Sequence, residues 1–446
     1  MDPTVETTID VLDPALWDDP HGALAQARSA GPVARTPDGE PTLLRYDDVD
    51  EALRHPGLAT FSVQSLLDHN GIADGPLREW CDLLMLSLEG DDHARLRGLV
   101  SRAFTPRRVD AARAGARSFV RSLFASASVG SPAPAGPGGA PGPTEPPGGE
   151  TTGEADAAGI GDATGADGGR GRLDWVADVA HELPVWVVCE MLGVPSDDRH
   201  LFKEWTVDLA LTFANVLTPD ERARAEQALT SLYDYVRALV AERRAGGPSD
   251  DLLGALVAAE HEGHRLSPAE LEAMVVNLLQ GGHETTRSAL SIAMATLLVH
   301  PDQLDRLHAD PSLVPGAVDE LLRFESPTFS TMRVARQPVT IGPVTLGAGE
   351  PVHLSLLAAN RDPDRFDRAD VLDVGRSDVR HVSFGYGVHH CIGAALARLE
   401  LQEALAELVT SCREISLEID APVWVPYLQV RRVESLPLSF RRVAGA

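Results

Sequence analysis

The chain has 446 residues, 43% of them hydrophobic and 24% charged, which is the ordinary composition of a globular protein with room for two or three domains. Acidic residues outnumber lysine and arginine by 66 to 39, so the formal net charge is −27. This charge argues against a protein that binds nucleic acid or adheres to an anionic membrane surface.

The amino-terminal stretch, "MDPTVETTIDVLDPALW", lacks the basic region and the apolar run of a signal peptide. No later stretch reaches the ~18–20 uninterrupted apolar residues that span a bilayer. The four cysteines are widely scattered and form no CxxC pair, which is typical of a reduced compartment. We therefore expect a cytoplasmic protein without a membrane partner.

The first part of the chain alternates between short strands and helices. Its apolar spacing predicts strands at 32–38 and 41–46, followed by helices at 47–55 and 93–104. The second of these helices is ended by the Thr105-Pro106 step, because proline cannot continue a helix.

Residues 126–171 differ in composition from the rest of the chain. They are dominated by Gly, Pro, Ala and acidic residues. Such a segment buries too little apolar surface to offset the entropy lost on ordering, so we predict a disordered insertion. We interpret it as a tolerated surface insertion; a docking role for a partner is the alternative.

Helical patterns dominate after this segment. Amphipathic spacing predicts helices at 175–195 and 219–245, and the longest pattern covers 266–301. Ser267 and Glu270 form a capping box at its start. Since the pattern exceeds the ~8–20 residues of a usual globular helix, we expect it to cross the whole molecule.

Alternating patterns at 337–360 and 422–440 predict strands in the last third of the chain. Because the helical patterns are longer and more numerous, the sequence predicts a mainly α fold with a small β region.

One cysteine has unusual surroundings. In "SFGYGVHHCIGAAL", residues 383–396, three glycines flank Cys391 and an apolar helical pattern follows. Free N–H groups at the start of that helix can stabilise a thiolate. The glycines let a large flat group approach the backbone closely, and His389 can reach an anionic group. Cys81, Cys189 and Cys412 lack such surroundings and are expected in the core.

A single cysteine cannot hold zinc or an iron–sulfur cluster, which take several thiolate or imidazole ligands. It suits haem, whose ring supplies the other ligands and leaves an axial position for a thiolate. The stretch is complete against the haem-binding motif of cytochromes P450, and the chain resembles that family over its length apart from the insertion. The matching residues are Phe384, Gly385, Gly387, His389, Cys391 and Gly393.

The resemblance implies the cytochrome P450 fold, as a single domain over 1–446 that contains the 126–171 insertion. It implies haem b as the cofactor, with Cys391 as the iron ligand and the neighbouring motif residues at the ring. The two haem propionates need cations and donors. Four residues fall where the family places such contacts: His93, Arg97, Arg333 and His389. Singly, each arginine is more often a solvated surface residue.

The segment "GGHETT", 281–286, lies midway along the longest helical pattern. Two glycines cost a helix about 1 kcal/mol each, which is reasonable if a group must lie against the backbone. The segment resembles the oxygen-activating segment of the family. The resemblance implies that Thr285 hydrogen-bonds dioxygen and that Glu284 relays protons; a polar kink without catalytic role is the alternative. His283 is expected in a pocket wall or facing solvent.

Glu320 and Arg323 lie three residues apart in "DELLRFESP", on one helical face. Alone, such a pair is usually a solvated surface salt bridge. It matches the Glu-x-x-Arg motif of the family, in which the pair contacts an arginine before the cysteine loop. The resemblance assigns that position to Arg376 and implies a structural role.

The implied reaction is monooxygenation: one atom of dioxygen enters a C–H or C=C bond of a hydrophobic small molecule, and the other leaves as water. Family analogy suggests a natural product of secondary metabolism, such as a polyketide, terpenoid or peptide. Electrons would come from a ferredoxin and an NAD(P)H-dependent ferredoxin reductase. The substrate pocket is assigned to Met85, Leu86, Phe213, Leu279, Gly282 and Phe329.

Ferredoxins are acidic, so a local basic patch is expected at their docking site. The arginines assigned to it are Arg95, Arg102, Arg107 and Arg398; scattered surface arginines are the alternative. Two other functions stay open: a peroxygenase that does not activate dioxygen, and a non-catalytic haem-binding or sensor protein. The intact Glu284–Thr285 pair argues against both.

Overall fold

The computed structural model describes most of the chain. The described residues are 7–127, 170–214, 216–247, 249–258, 260–261, 264–425 and 430–443. The predicted insertion at 126–171 lies outside them, except for its first and last two residues.

Helices make up most of the described structure, as predicted. In chain order they are α1 (Pro14–Asp18), α2 (Pro20–Ala30), α3 (Tyr46–Arg54), α4 (Val63–His69), α5 (Pro76–Asp82), α6 (Gly90–Ala103), α7 (Pro106–Ala111), α8 (Arg113–Ser126), α9 (Glu182–Leu192), α10 (Arg199–Ala210), α11 (Pro219–Gly246), α12 (Leu252–Ala258), α13 (Pro268–Leu298), α14 (Pro301–Ala309), α15 (Val314–Phe324), α16 (Leu356–Ala359) and α17 (Ala394–Ser411).

The strands form a small β region. They are β1 (Val33–Arg35), β2 (Pro41–Leu43), β3 (Leu58–Thr60), β4 (Arg170–Asp174), β5 (Glu260–His261), β6 (His264–Arg265), β7 (Ser330–Ala335), β8 (Val339–Ile341), β9 (Val344–Leu346), β10 (Pro351–Ser355), β11 (Cys412–Leu417), β12 (Trp424–Val425), β13 (Arg432–Val433) and β14 (Pro437–Arg442). The largest sheet has the order β1-β2-β10-β7-β3, in which only β2 and β10 are parallel. A second sheet has the order β11-β14-β4, and three two-stranded ribbons complete the set in the described residues.

Helix α13 forms the centre of the molecule. The predicted capping box is present, with the Ser267 hydroxyl accepting from the Glu270 N–H and the Glu270 carboxylate accepting from the Ser267 N–H. The helix packs against α9, α10, α11, α15 and α17, and most of its side chains are buried. Among the helices of the described residues, none combines the length and apolar character that crossing a membrane requires.

The pattern at 175–195 was predicted to be one continuous helix. This is wrong, because the helix is interrupted once, between residues 180 and 182. Trp175–Ala180 form a π-helical segment whose first N–H groups are capped by Asp174, and α9 starts afresh at Glu182. In a continuous α-helix, Pro184 would have no N–H to donate to the Ala180 carbonyl, and its ring would clash with that carbonyl. Restarting the helix places Pro184 in a first turn, where no such bond is needed.

Glu400 on α17 is a carboxylic acid in the core. Its side chain is buried, and neither carboxyl oxygen has a hydrogen-bond partner among the described residues. Burial raises the pKa of Glu400 well above its usual range. Burial therefore favours the protonated, uncharged form of this side chain.

We expect Glu400→Gln to stabilise the protein at about pH 8 and to change little at about pH 4. Because the folded pKa is raised, the unfolded chain releases a proton that the folded protein keeps, so wild-type stability falls as pH rises above the usual glutamate pKa. The slope is about 1.4 kcal/mol per pH unit. Glutamine resembles the protonated acid and does not titrate. The test is to measure the urea midpoint of unfolding for wild type and Glu400→Gln between these two pH values. A difference between their midpoints that does not change with pH would contradict the raised pKa.

Candidate active site

The loop before α17 brings Phe384 and Cys391 together. The Cys391 N–H donates to the Phe384 carbonyl at 2.9 Å, which closes the loop. Gly385 and Gly387 have φ angles of 63° and 71°, a region that favours glycine. A Cβ at Gly387 would also lie 2.7 Å from the Leu53 carbonyl oxygen of α3. The path of the loop therefore requires glycine at positions 385 and 387.

Cys391 is a free cysteine with exposed surface at the amino-terminal end of α17, although its sulfur lies among protein atoms. Burial raises the pKa of the Cys391 thiol. The N–H groups of Gly393 and Ala394 act in the opposite direction and lower it, as do the Arg97 and Arg398 guanidinium groups. These donors and cations would stabilise a thiolate that binds a metal ion.

Arg398 holds the cysteine loop to α15. Its guanidinium lies 4.5 Å from the centroid of the Phe384 ring, and its Nε donates to Asp319 Oδ1 at 2.6 Å. The same Oδ1 lies 3.2 Å from His381 Nε2. Arg398 thus links the aromatic residue of the loop to a carboxylate on a neighbouring helix.

The four predicted propionate-binding residues include a close pair. The His93 and His389 rings lie 4.2 Å apart, and His389 Nε2 is 3.2 Å from a Glu89 carboxylate oxygen. Arg97 Nη2 donates to the His390 carbonyl at 2.5 Å, which ties α6 to the cysteine loop. Burial lowers the pKa of His93 to about 4, helped by the nearby His389 and Arg97 charges.

Three residues of this cluster, His93, Arg97 and Arg333, have no anionic partner among the described residues. Within the described residues, His93 Nε2 is buried without a hydrogen-bond partner, and neither Arg97 nor Arg333 forms a salt bridge to a carboxylate. Burial lowers the pKa of both arginines. A buried cation without a counter-ion is costly, so an anionic group on a ligand would complete the cluster.

The space beside the sulfur points to the same ligand. A Cβ at Gly393 would meet only Cys391 Sγ, at 3.8 Å, within 4 Å, and its φ of −81° does not demand glycine. The missing side chain therefore leaves room next to the thiol. A flat ring with two carboxylates and a thiolate-ligated iron suits this arrangement, so the residues present fit haem.

One face of α13 is open in the middle of the helix. Gly281 and Thr285, one turn apart, are exposed although most of the helix is buried, and the Thr285 hydroxyl donates to the Gly281 carbonyl at 2.9 Å. Glu284 Oε1 lies 3.2 Å from Arg287 Nη1. The predicted carboxyl–hydroxyl pair thus lies at an accessible face, with Glu284 partly exposed.

Gly282 differs from its prediction as a pocket-wall residue. A Cβ there would lie 2.9 Å from Val188 Cγ2, so Gly282 faces α9 and allows close helix packing. Gly281 has open space at the corresponding position. The two glycines of the segment therefore serve different contacts.

The predicted contact between Glu320, Arg323 and Arg376 is present. Arg323 Nε and Nη2 donate to the two Glu320 carboxylate oxygens at 2.7 and 2.8 Å, and Arg376 Nε lies 3.1 Å from Glu320 Oε2. Glu320 and Arg323 are both 0% exposed, so the alternative of a solvated surface pair is wrong. Arg323 also donates to the Asn360 and Ala369 carbonyls, which fixes the segment before the cysteine loop.

The predicted pocket residues do not all lie together. Met85 and Leu279 are buried in the main core, and Phe213 packs against the same cluster. Leu86 is exposed. Phe329 lies in a separate core cluster, with its ring 5.3 Å from Trp17, so its observed role is packing.

Sequence reasoning missed a polar cluster behind α13. His283 was expected in a pocket wall or facing solvent, yet it is 1% exposed and contacts Thr206 on α10 and His181 before α9. The only sequence signal was a histidine inside "GGHETT". Its partners lie far away in sequence and carried no motif.

Comparisons with known proteins agree with this fold and site. A family model described as "Cytochrome P450" matches residues 199–419. Cytochrome P450 monooxygenase PikC of Streptomyces venezuelae is 33% identical, with 95% of this chain and 92% of that protein covered. Mycinamicin IV hydroxylase/epoxidase of Micromonospora griseorubida is 36% identical over 79% of this chain and 77% of that protein.

A solved structure of the Bacillus subtilis bacillaene polyketide synthase cytochrome P450 PksS has a TM-score of 0.77 and 29% identity, covering 96% of this chain and 98% of that one. The chain therefore belongs to the cytochrome P450 family and has its fold. It is a monooxygenase, an oxidoreductase of the haem-thiolate class.

Proposed function

We propose that this enzyme inserts one oxygen atom from dioxygen into a hydrophobic natural product, by hydroxylation or epoxidation. Polyketides are the first class to test, with terpenoids and peptides next, because the structural neighbour PksS is named for a polyketide synthase. The observation that carries the proposal is the exposed Gly281–Thr285 face on the otherwise buried α13. An opening at mid-helix, beside a carboxylate, suits a site where substrate and protons meet.

Haem b, when bound, supplies the activation of dioxygen, and the protein binds and orients it. Cys391 would hold the iron, with its thiolate stabilised by the N–H groups at the start of α17 and by two arginines. Arg97 and Arg333, together with His93 and His389, would bind the propionates. This assignment gives the unpartnered donors of the cluster their anions.

Glu284 and Thr285 would control protons at the open face. The Glu284 carboxylate, held by Arg287 at 3.2 Å, would take up a proton from solvent. The Thr285 hydroxyl donates its single hydrogen to Gly281, so its lone pairs are free to accept one from a water. The pair can therefore order water and deliver protons.

We propose that electrons arrive from an acidic ferredoxin reduced by an NAD(P)H-dependent reductase. Two of the arginines assigned to its docking are engaged in ion pairs, Arg95 with Glu270 and Arg398 with Asp319. Arg102 and Arg107 are exposed. Val388 of the cysteine loop is also 64% exposed. Docking near this loop would bring the donor close to Cys391.

We expect Thr285→Ala to uncouple electron consumption from oxygenation. Without the hydroxyl, water at the open face loses its orienting partner, so product formed per NADPH falls by at least about tenfold while peroxide rises. The measurement is NADPH, product and peroxide with a ferredoxin, its reductase and a panel of macrocyclic polyketides. Thr296→Ala is the control, because Thr296 makes the same backbone hydrogen bond, to Ile292 at 2.7 Å, inside the core.

The same assay separates the other functions. Product that forms with peroxide alone and never with the electron donors would identify a peroxygenase. Haem binding without any oxygenated product over the polyketide, terpenoid and peptide panels would favour a haem-binding or sensor protein. An unchanged coupling ratio in Thr285→Ala would contradict the assigned role of this residue.

A further inference from the structure

A single carboxylate joins four segments of the chain at the end of α15. Glu325 follows the last residue of α15, and its side chain is 12% exposed. Its Oε1 accepts from Arg361 Nη2 at 3.0 Å and lies 2.6 Å from His21 Nε2 on α2. Its Oε2 accepts from Arg431, which precedes β13. None of the motifs identified in the sequence gives Glu325 a role.

The charges in this cluster balance only if Glu325 is present. Burial alone would raise the pKa of Glu325, but Arg431, His21 and Arg361 outweigh burial and hold the pKa well below its usual range. The carboxylate is therefore ionised, and His21 donates its Nε2–H to it. Arg431 is 7% exposed and pairs with no other carboxylate in the described part of the chain. Without Glu325 it would be a buried cation without a counter-ion, which is costly.

Arg431 also holds the hairpin of β12 and β13 against the 326–329 segment. Its N–H donates to the Pro327 carbonyl at 2.7 Å, and the preceding residue forms an antiparallel bridge with Thr328. Its guanidinium lies 4.6 Å from the centroid of the Trp424 ring on β12. The backbone and the side chain of Arg431 therefore both fix the hairpin to the segment that follows α15.

The hairpin and the 326–329 segment lie beside residues of the proposed site. Strand β13 packs against α13. Just after β13 the chain is held to Trp175, whose indole N–H donates to the Leu290 carbonyl at 3.0 Å, five residues beyond Thr285. The 326–329 segment leads directly into β7, which carries Arg333. Both segments therefore reach the region between the open face of α13 and the residues assigned to the propionates.

We propose that Glu325 is a positioning residue that determines specificity. By holding Arg431, it fixes the β12–β13 hairpin against the 326–329 segment and thereby shapes the site for bulky apolar ligands beside the open face of α13. A ligand that fills this region loses contacts when the hairpin is released, whereas a ligand too small to reach the hairpin does not. This inference rests on the proposed function, which places the substrate at that face.

Two azole ligands of different size test this inference on the holoenzyme. Imidazole occupies little space, whereas econazole adds two chlorinated phenyl rings. In Glu325→Gln, which keeps the shape of the side chain and removes its charge, the Kd of econazole should rise about tenfold. The Kd of imidazole should change by less than about twofold. Both constants are measured from the shift of the Soret band, at a temperature at which each variant is folded.

Variants of Arg431 test whether the two residues act as one pair. Arg431→Met should raise the Kd of econazole as Glu325→Gln does. In the double variant the Kd should rise no further than in the single variants, because the same contact is lost only once. Arg431→Lys keeps a cation at this position and should restore most of the wild-type affinity. If Glu325→Gln does not fold, the comparison of Arg431→Met with Arg431→Lys decides, since their side chains are similar in length and differ in charge.

Glu403→Gln is the matched control. Glu403 is 1% exposed and, like Glu325, pairs with two arginines, Arg113 and Arg117, but between α17 and α8. It should leave both Kd values unchanged, because loss of stability by itself does not reshape the site.

Three results would overturn the inference. They are an econazole Kd that Glu325→Gln leaves at the wild-type value, equal changes in the Kd of both azoles, and effects of Glu325→Gln and Arg431→Met that multiply in the double variant. A wild type that binds haem but neither azole would contradict the proposed function itself, and the inference with it.

Discussion

Replacing Cys391 with serine is expected to abolish the spectrum of a thiolate-ligated haem. Serine cannot supply a soft anionic ligand, because its hydroxyl does not ionise at neutral pH even beside the N–H groups that lower the pKa of the Cys391 thiol. The reduced, carbon-monoxide-bound wild type should show the strongly red-shifted Soret band of thiolate ligation. The variant should lose that band and lose oxygenation activity, with residual turnover on the order of a thousandth or less.

Cys412→Ser is the matched control. Cys412 is buried at the start of β11, at the opposite end of α17 from Cys391. Its variant should keep the red-shifted band even if it unfolds at a lower temperature. Folded wild type that binds no haem, or a Cys391→Ser protein that keeps the shifted band, would contradict the assignment.

The second large effect is expected for Glu320→Ala. It leaves Arg323, which is fully buried, and Arg376 without their carboxylate. Breaking a buried ion pair by removing one partner costs about 3–5 kcal/mol. Because Arg323 also holds the Asn360 and Ala369 carbonyls, the segment before the cysteine loop should loosen and haem should dissociate faster.

Thermal unfolding measures the loss of stability, and the rate of haem transfer to apomyoglobin measures how fast haem dissociates. Glu414→Ala is the control: its pair with Arg441 is similar in length, 2.8 Å, but exposed on both sides, so its loss should cost at most about 1 kcal/mol. Equal destabilisation by the two variants would mean that burial of the Glu320 pair carries no special cost.

Structural elements whose sequence signal spans only a few residues could be predicted from the local sequence pattern. The capping box at Ser267 and Glu270 predicted the start of α13, and the glycines around Cys391 predicted a loop before a helix that a flat group can approach. The contact between Glu320 and Arg376 was also predicted, because the family resemblance gives the spacing between these two residues.

Contacts between distant segments could not be predicted in this way. The burial of His283 depends on Thr206 and His181, which pack against it only after α9, α10 and α13 have assembled. Gly282 could not be told from Gly281, because only the approach of Val188 distinguishes them. The Phe329 side chain is aromatic and apolar, as a pocket residue would be, yet its ring packs against Trp17.

The strand β4 has a consequence for engineering this enzyme. Arg170 of β4 is the register partner of Arg441, and the neighbouring Arg442 donates to the carbonyl of Ala127. The chain therefore leaves α8 and re-enters β4 at the same end of β14. Two chain ends held this close tolerate a short linker or a whole grafted domain, because closing a long loop costs little more than closing a short one. A ferredoxin grafted between α8 and β4 would be covalently attached to the oxygenase that it reduces.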